Sequence, residues 1–192
     1  MDYSIRPVRA DEWEKVRELR LVALQDPVAH LAFVETYETA VAQPDSFWQG
    51  RTANASEDGE GRVRQFVAET PDGRWIGTTT VLVERPSDAE PLFGEPAKVD
   101  QTHLVGVYVR PEARGAGVID ALFRTAVEWS WALPEPTIER VRLYVHEDNA
   151  RAGAFYRRFG FVPTGERTVM PGSGSGYDLE YEVPRPGPQQ AV

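Results

Sequence analysis

The 192-residue chain contains no cysteine. That excludes a disulfide framework, a thiolate metal site and a cysteine nucleophile. Its three histidines, His30, His103 and His146, have no ligand spacing between them, so no metal is expected. No run approaches the roughly 18 apolar residues of a membrane span, so no membrane partner is expected. The opening MDYSIRPVRADEW is polar and has no apolar stretch. A signal peptide is therefore not expected, and a cytoplasmic location is the default. Basic residues are outnumbered: 21 Lys and Arg against 30 Asp and Glu give a net charge of −9, the wrong sign for gripping a nucleic-acid backbone. The acidity keeps the protein soluble and favours cationic or neutral partners.

The chain has an ordinary globular balance, with hydrophobic residues at 41%, enough for one sizeable core. There is no internal repeat and no second domain boundary, so residues 1–184 read as one domain. Residues 185–192, in the Pro- and Gln-rich tail, are expected to be disordered. YSIRPV (3–8) reads as a first strand with Ile5 and Val8 inward. Asp11 reads as an N-cap, with Glu14 completing a capping box, for an amphipathic helix over 11–25. An irregular helix follows in 28–42, then another from Pro44-Asp45 carrying Phe47, Trp48 and Arg51. Residues 65–70 and 74–84 form a hairpin around Pro71-Asp72-Gly73. A proline-rich loop, 85–97, is long enough to cover a site. Residues 98–109, 140–146, 161–169 and 177–183 are further strands, the last two joined by PGSGSG. Helices occupy 115–131 and 149–159, the latter stopped by Gly160. The order is β-α-α-β-β-β-α-β-α-β-β: an α/β (α+β) fold with one mixed, mostly antiparallel sheet of about seven strands and helices on both faces. Trp48 and Trp75 are expected in the core rather than in a pocket, and Phe155 and Phe159 between helix and sheet.

The chemically loaded stretch is Arg114-Gly115-Ala116-Gly117, between a strand and a long helix. A helix N-terminus offers unpaired N–H groups and the positive end of a dipole, and glycines let the backbone approach an anion closely. The loop is expected to hold a phosphate-bearing ligand. Gly106, just upstream, is either a bulge that splays its strand from a neighbour or a glycine tolerated in a buried strand.

Two segments resemble the GNAT family of N-acetyltransferases. VYVRPEARGAGVIDAL is similar to the family's acyl-CoA-binding motif, and LYVHEDNARAGAFYRRFGFVPTGE to its following strand and helix. Together they span roughly 104–166. The resemblance implies a GNAT-like domain that uses acetyl-CoA as co-substrate and acetylates a primary amine of a small molecule or peptide, directly and in a ternary complex. It implies cofactor contacts at Val107, Val109, Arg114, Gly115, Ala116, Gly117, Val118 and Asn149, and Tyr156 as the acid that protonates the departing thiolate. Ile119 departs from the family pattern, which has Gly or Ala there. The family's usual glutamate near the start of the central strand is missing: His103, Leu104 and Val105 stand there instead. His103 is the candidate base, set against a reading as an exposed strand-end histidine. His146 and Glu147 are equally ambiguous, and a water chain with no single base also fits. Glu35 and Tyr37 are candidates for the acceptor pocket. The alternative is a CoA-binding regulatory module that has lost catalysis. A homodimer through a sheet edge or the C-terminal strands is an open expectation.

Overall fold

In the computed structural model, residues 1–88, 94–169 and 176–187 are described. The PGSGSG turn, the middle of the 85–97 loop and most of the tail fall largely outside them. Seven strands form one sheet: β1 Ser4–Pro7, β2 Val63–Glu69, β3 Trp75–Glu84, β4 Gln101–Val109, β5 Arg140–His146, β6 Val162–Thr168 and β7 Asp178–Pro184. Their spatial order is β1-β2-β3-β4-β5-β7-β6, and every pair except β4–β5 is antiparallel. The helices are α1 Trp13–Leu24, α2 Tyr37–Val41, α3 Asp45–Ala55, α4 Val118–Ala132 and α5 Ala150–Phe159. The expected mixed sheet is therefore observed, and the three helical segments read before the second strand are α1, α2 and α3, one more than the order β-α-α-β counts.

Strand alternation divides the core between the two faces. Phe66 and Ala68 of β2, Ile76 of β3 and Leu104 of β4 pack under α4 and α5. Val67 and Trp75, of opposite parity, and Tyr108, which a bulge in its strand moves to the other face, pack with Val16 and Leu19 of α1 and with Trp48, which is fully buried on α3. Phe123 of α4 is the centre of the first cluster. Its ring lies 5.0 Å from Phe155, 5.5 Å from Tyr156 and 5.4 Å from Phe159.

The start of α1 differs from expectation. Neither Asp11 nor Glu14 caps it; the N-cap is Glu12, without a side-chain cap bond. The reason is competition for the carboxylate. Glu12 accepts from Arg6 Nη1 (2.8 Å), Arg6 Nη2 (2.6 Å) and the Arg9 backbone N–H (2.9 Å), so it ties the helix entry to β1. Charge-assisted bonds of this kind outrank a neutral cap.

Two features of β4 position the site. First, Thr80 faces Val105 and Thr78 faces Tyr108, so β4 carries one residue more than β3 between these pairs. Gly106 sits in this bulge at φ +62°, the left-handed region that favours glycine. Second, β4 and β5 pair only at Gln101–Arg140, Thr102–Val141 and His103–Arg142, and then part.

The joint below the gap is polar and buried. Arg142, with no exposed surface, donates through Nε to Glu84 Oε2 (2.8 Å) and through Nη1 to Glu180 Oε2 (3.0 Å). His103 is not an exposed strand-end residue: it is 1% exposed, and its Nδ1–H donates to Glu84 Oε1 at 2.9 Å. Gln101 Nε2 also donates to Glu84, at 2.7 Å. Arg142 further reaches the Glu95 carbonyl (2.9 Å), which ties the chain at Glu95 across this face. Burial works to raise the Glu84 carboxyl, but His103, Arg142 and Gln101 overcome it and hold it below the ordinary value. Glu180 is likewise lowered by Arg140, Tyr144 and Arg142 against burial.

Removing one partner from a buried ion pair leaves the other uncompensated. Glu84→Ala is expected to cost about 3–5 kcal/mol in urea unfolding. In the wild type, Glu84 and Glu180 have folded pKa values below their unfolded ones. Their contribution is therefore present above the ordinary carboxylate range and is lost as pH falls through the folded values, which acid titration of stability would follow.

Candidate active site

Above the joint, the gap opens into a cleft of about 500 Å³. One wall is β4, through Val107, Tyr108 and Val109, and the opposite wall is α5, through Asn149, Ala152, Phe155 and Tyr156. The floor is the Ala113–Gly117 loop with Ile119 and Asp120 of α4, and the segment after α1 (Asp26, Val28, Ala29, Ala32, Phe33) closes the rim.

The loop does locally what its sequence predicts. Gly115 and Gly117 lie at φ +84° and +79°, and Gly117 is the N-cap of α4 with no side-chain cap bond. A 15-residue helix thus presents its uncapped N-terminus at the cleft, the geometry that receives an anion. Arg114 is arranged differently from a simple phosphate ligand. Its Nε donates to the Val109 carbonyl (2.9 Å) and its Nη2 pairs with the buried Asp26 carboxylate, so it ties the loop to the segment after α1.

The cleft brings together Val107, Val109, Arg114, Gly115, Gly117, Asn149 and Tyr156. Ala116 is exposed beside it, and the Val118 side chain lies in the core. Ile119 both lines the cleft and packs against the core. Asn149 combines two uses: it lines the cleft, and its Oδ1 accepts the Ala152 N–H at 3.2 Å as the cap of α5. Tyr156 is stacked on Phe123, and burial raises its phenol above the ordinary value, so it holds its proton at neutral pH.

Three candidate residues lie outside the cleft. His103 is buried in the joint with Glu84. Glu35 is paired with Arg20 at 2.9 Å, with Arg51 a further 3.9 Å away, so its charge is largely answered within the protein. Tyr37 begins α2 and packs on the α1–α3 core.

Sequence reasoning missed two groups. Arg151 and Arg158 bring cations to the cleft from α5. Their spacing of seven, with Phe155 between them, is two helical turns on one face and was available as a signal. The other is Asp178, at the start of β7 and directly across from His146. It is 1% exposed, and neither carboxylate oxygen has a hydrogen-bond partner. Burial pushes its carboxyl above the ordinary value, with His146 opposing.

A profile described as the acetyltransferase (GNAT) family matches residues 13–161. The chain belongs to that family. The uncapped helix, the glycine loop and the arginines of α5 offer hydrogen-bond donors and positive charge suited to a phosphate-bearing ligand. Among curated proteins, a mycothiol acetyltransferase of Saccharomonospora viridis is 36% identical over 110 residues, which are 57% of this chain and 33% of that protein. One of Frankia casuarinae is 31% identical over 99 residues, 52% and 27% of the two chains. The chain thus spans about a third of the length of these relatives. Among solved structures, a phosphinothricin acetyltransferase of Sinorhizobium meliloti in complex with AcCoA has a TM-score of 0.70 at 17% identity, covering 96% of this chain and 89% of that one. At that identity the likeness concerns the fold.

Because Gly106 occupies the left-handed region, Gly106→Val is expected to destabilise the protein by about 1–2 kcal/mol. Chemical denaturation measures that cost, and retention of wild-type stability would mean the bulge relaxes.

Proposed function

We propose that the protein transfers an acetyl group from acetyl-CoA directly to a primary amine in a ternary complex. The observation that supports this most is the cleft itself. One continuous space joins an uncapped helix N-terminus, the bulged strand β4 and a buried phenol that keeps its proton. In this reading the amides at the start of α4, with Arg151 and Arg158, bind the phosphates. The backbone of Val107 and Val109 aligns the cofactor arm and polarises the thioester carbonyl. Tyr156 donates its proton to the departing sulfur. Asn149 fixes the entrance to α5. Glu35 and Tyr37 bound the acceptor side only indirectly, through the α1–α3 layer. A cytoplasmic location, and a homodimer through a sheet edge to be checked by light scattering, complete the proposal.

A second reading, a CoA-binding module without catalysis, is favoured by one observation: His103, the only titratable side chain in the 103–105 stretch, is engaged in the joint. A thiol-release assay separates the two. The amine panel should include polyamines, aminoglycosides, amino acids, lysine peptides and the acceptor of the mycothiol acetyltransferases. Turnover supports transfer; calorimetric CoA binding without turnover on any amine supports the module.

Tyr156→Phe removes only the hydroxyl from a stacked ring. It should lower kcat by about 10²-fold or more while leaving CoA affinity and Tm near wild type. An unchanged kcat removes Tyr156 from the mechanism.

A further inference from the structure

The orphaned carboxylate of Asp178 requires an explanation. A buried polar group without a partner costs stability, and a buried charge costs more. Such a group persists where it has a task or takes up a ligand that the folded chain alone does not supply.

Its position narrows the task. Val141, Leu143 and Val145 of β5 face the core under α4 and α5, so Tyr144 and His146 emerge on the other face. Asp178 is the cross-strand neighbour of His146, as Glu180 is of Tyr144, and directly opposed residues share a face. Asp178 therefore lies on the side of the sheet opposite α5 and Tyr156. It is one strand removed from the edge of the gap that β5 leaves after parting from β4. Tyr156 and α5 lie on one side of this gap and the carboxylate on the other, beside the strand that bounds it.

The surroundings are specific. His146 Nδ1 accepts the Asp148 N–H at 3.2 Å, and the Gly176 backbone packs so closely on the imidazole that a Cβ there would come 2.7 Å from Nε2. His146 of β5 faces Asp178 directly, Tyr144 and Glu180 are the next pair on the same face, Glu147 and Asp148 follow His146, and Arg167 of β6 lies opposite Leu179 on the other face. Glu180 is occupied by Arg140 and Arg142, and Glu147 accepts the Tyr177 N–H at 2.9 Å. Asp178 is the one carboxylate among the described residues that is both buried and unpartnered.

We propose that Asp178 is the residue that takes the proton from the incoming acceptor ammonium, entering from the face opposite Tyr156. This rests on the acetyl-transfer reading above. The ammonium gives one proton to the Asp178 carboxylate and becomes a neutral amine. The amine nitrogen bonds to the thioester carbonyl carbon, and the carbon–sulfur bond breaks. As the tetrahedral adduct collapses, Tyr156 gives its proton to the departing sulfur, the nitrogen loses its second proton, which by way of solvent restores the Tyr156 phenol, and Asp178 returns its own proton to solvent. The products are an amide, a free thiol and one proton. Burial, which raises the affinity of Asp178 for a proton, suits this role.

The test uses the full chain and the amine panel. Asp178→Asn is expected to lower kcat/KM for the amine by about 10²–10⁴-fold at neutral pH, with KM for acetyl-CoA unchanged. The deficit should shrink as pH approaches the amine's own pKa, because free amine then needs no base; a merely structural residue would not show this. Two readouts are independent of turnover. A carboxyl-carbon NMR titration of the wild type should place Asp178 above the other aspartates. D178N should melt no lower than wild type at neutral pH, since it removes an unpaired buried charge. A D178N enzyme within about threefold of an active wild type overturns this proposal alone. A variant that melts well below wild type or fails to fold makes the carboxylate structural and also overturns it. A wild type that binds CoA but acetylates no amine overturns the acetyl-transfer reading, and this proposal with it.

Discussion

Three residues of parallel pairing, Gln101–His103 against Arg140–Arg142, hold the sheet together across its middle. Everything that makes the protein an acetyltransferase scaffold depends on the pairing existing there and ending there. Above it the strands must part, or there is no cleft. Below it they must not, or the sheet splits. The two demands are met by different chemistry. The bulge at Gly106 turns β4 away from its neighbour, while Arg142, Glu84, His103 and Glu180 lock the base with directional bonds. An apolar joint of similar volume would be as stable, but it would specify the end of the pairing less sharply.

The fold was legible wherever one rule acted alone. Alternation placed Val141, Leu143 and Val145, the double apolar row placed α4, and the glycine loop announced an anion site. The joint was not legible. Its members come from four strands, at 84, 101, 103, 140, 142 and 180, and each alone reads as an ordinary solvent-facing strand residue. Alternation assigns Arg142 to the polar face correctly, but it cannot reveal that the loop around Glu95 covers that face. The same cause misplaced His103. Asp11 failed for a different reason: the capping rule considers only neighbours along the chain, and Glu12 was claimed by Arg6 of β1.

Asp178 reads, within 177–183, as an ordinary strand residue just after a Gly- and Ser-rich stretch. Only the register of β7 against β5 reveals it as a buried carboxylate opposite a histidine. The proposed donor side is thus written in two contiguous motifs. The proposed acceptor side would be assembled by pairing between distant strands, which is why the first was readable and the second was not. Electrostatics divide the same way: arginines of α5 and the α4 dipole at the cleft, carboxylates on the other face, within a chain that is acidic overall.

The brevity of the joint also gives the molecule a seam. On one side, β1 to β4 are linked by successive antiparallel pairs; on the other, β5, β7 and β6 form a second antiparallel unit. Among the described residues, three rungs of backbone pairing join the two units within the sheet, backed by the polar joint and by the crossing helix α4. In mechanical terms the sheet is two stiff plates on a short axle, and the cleft is the angle between them. A ligand that bridged the plates would spend its binding energy on fixing the angle between them rather than on reshaping either plate.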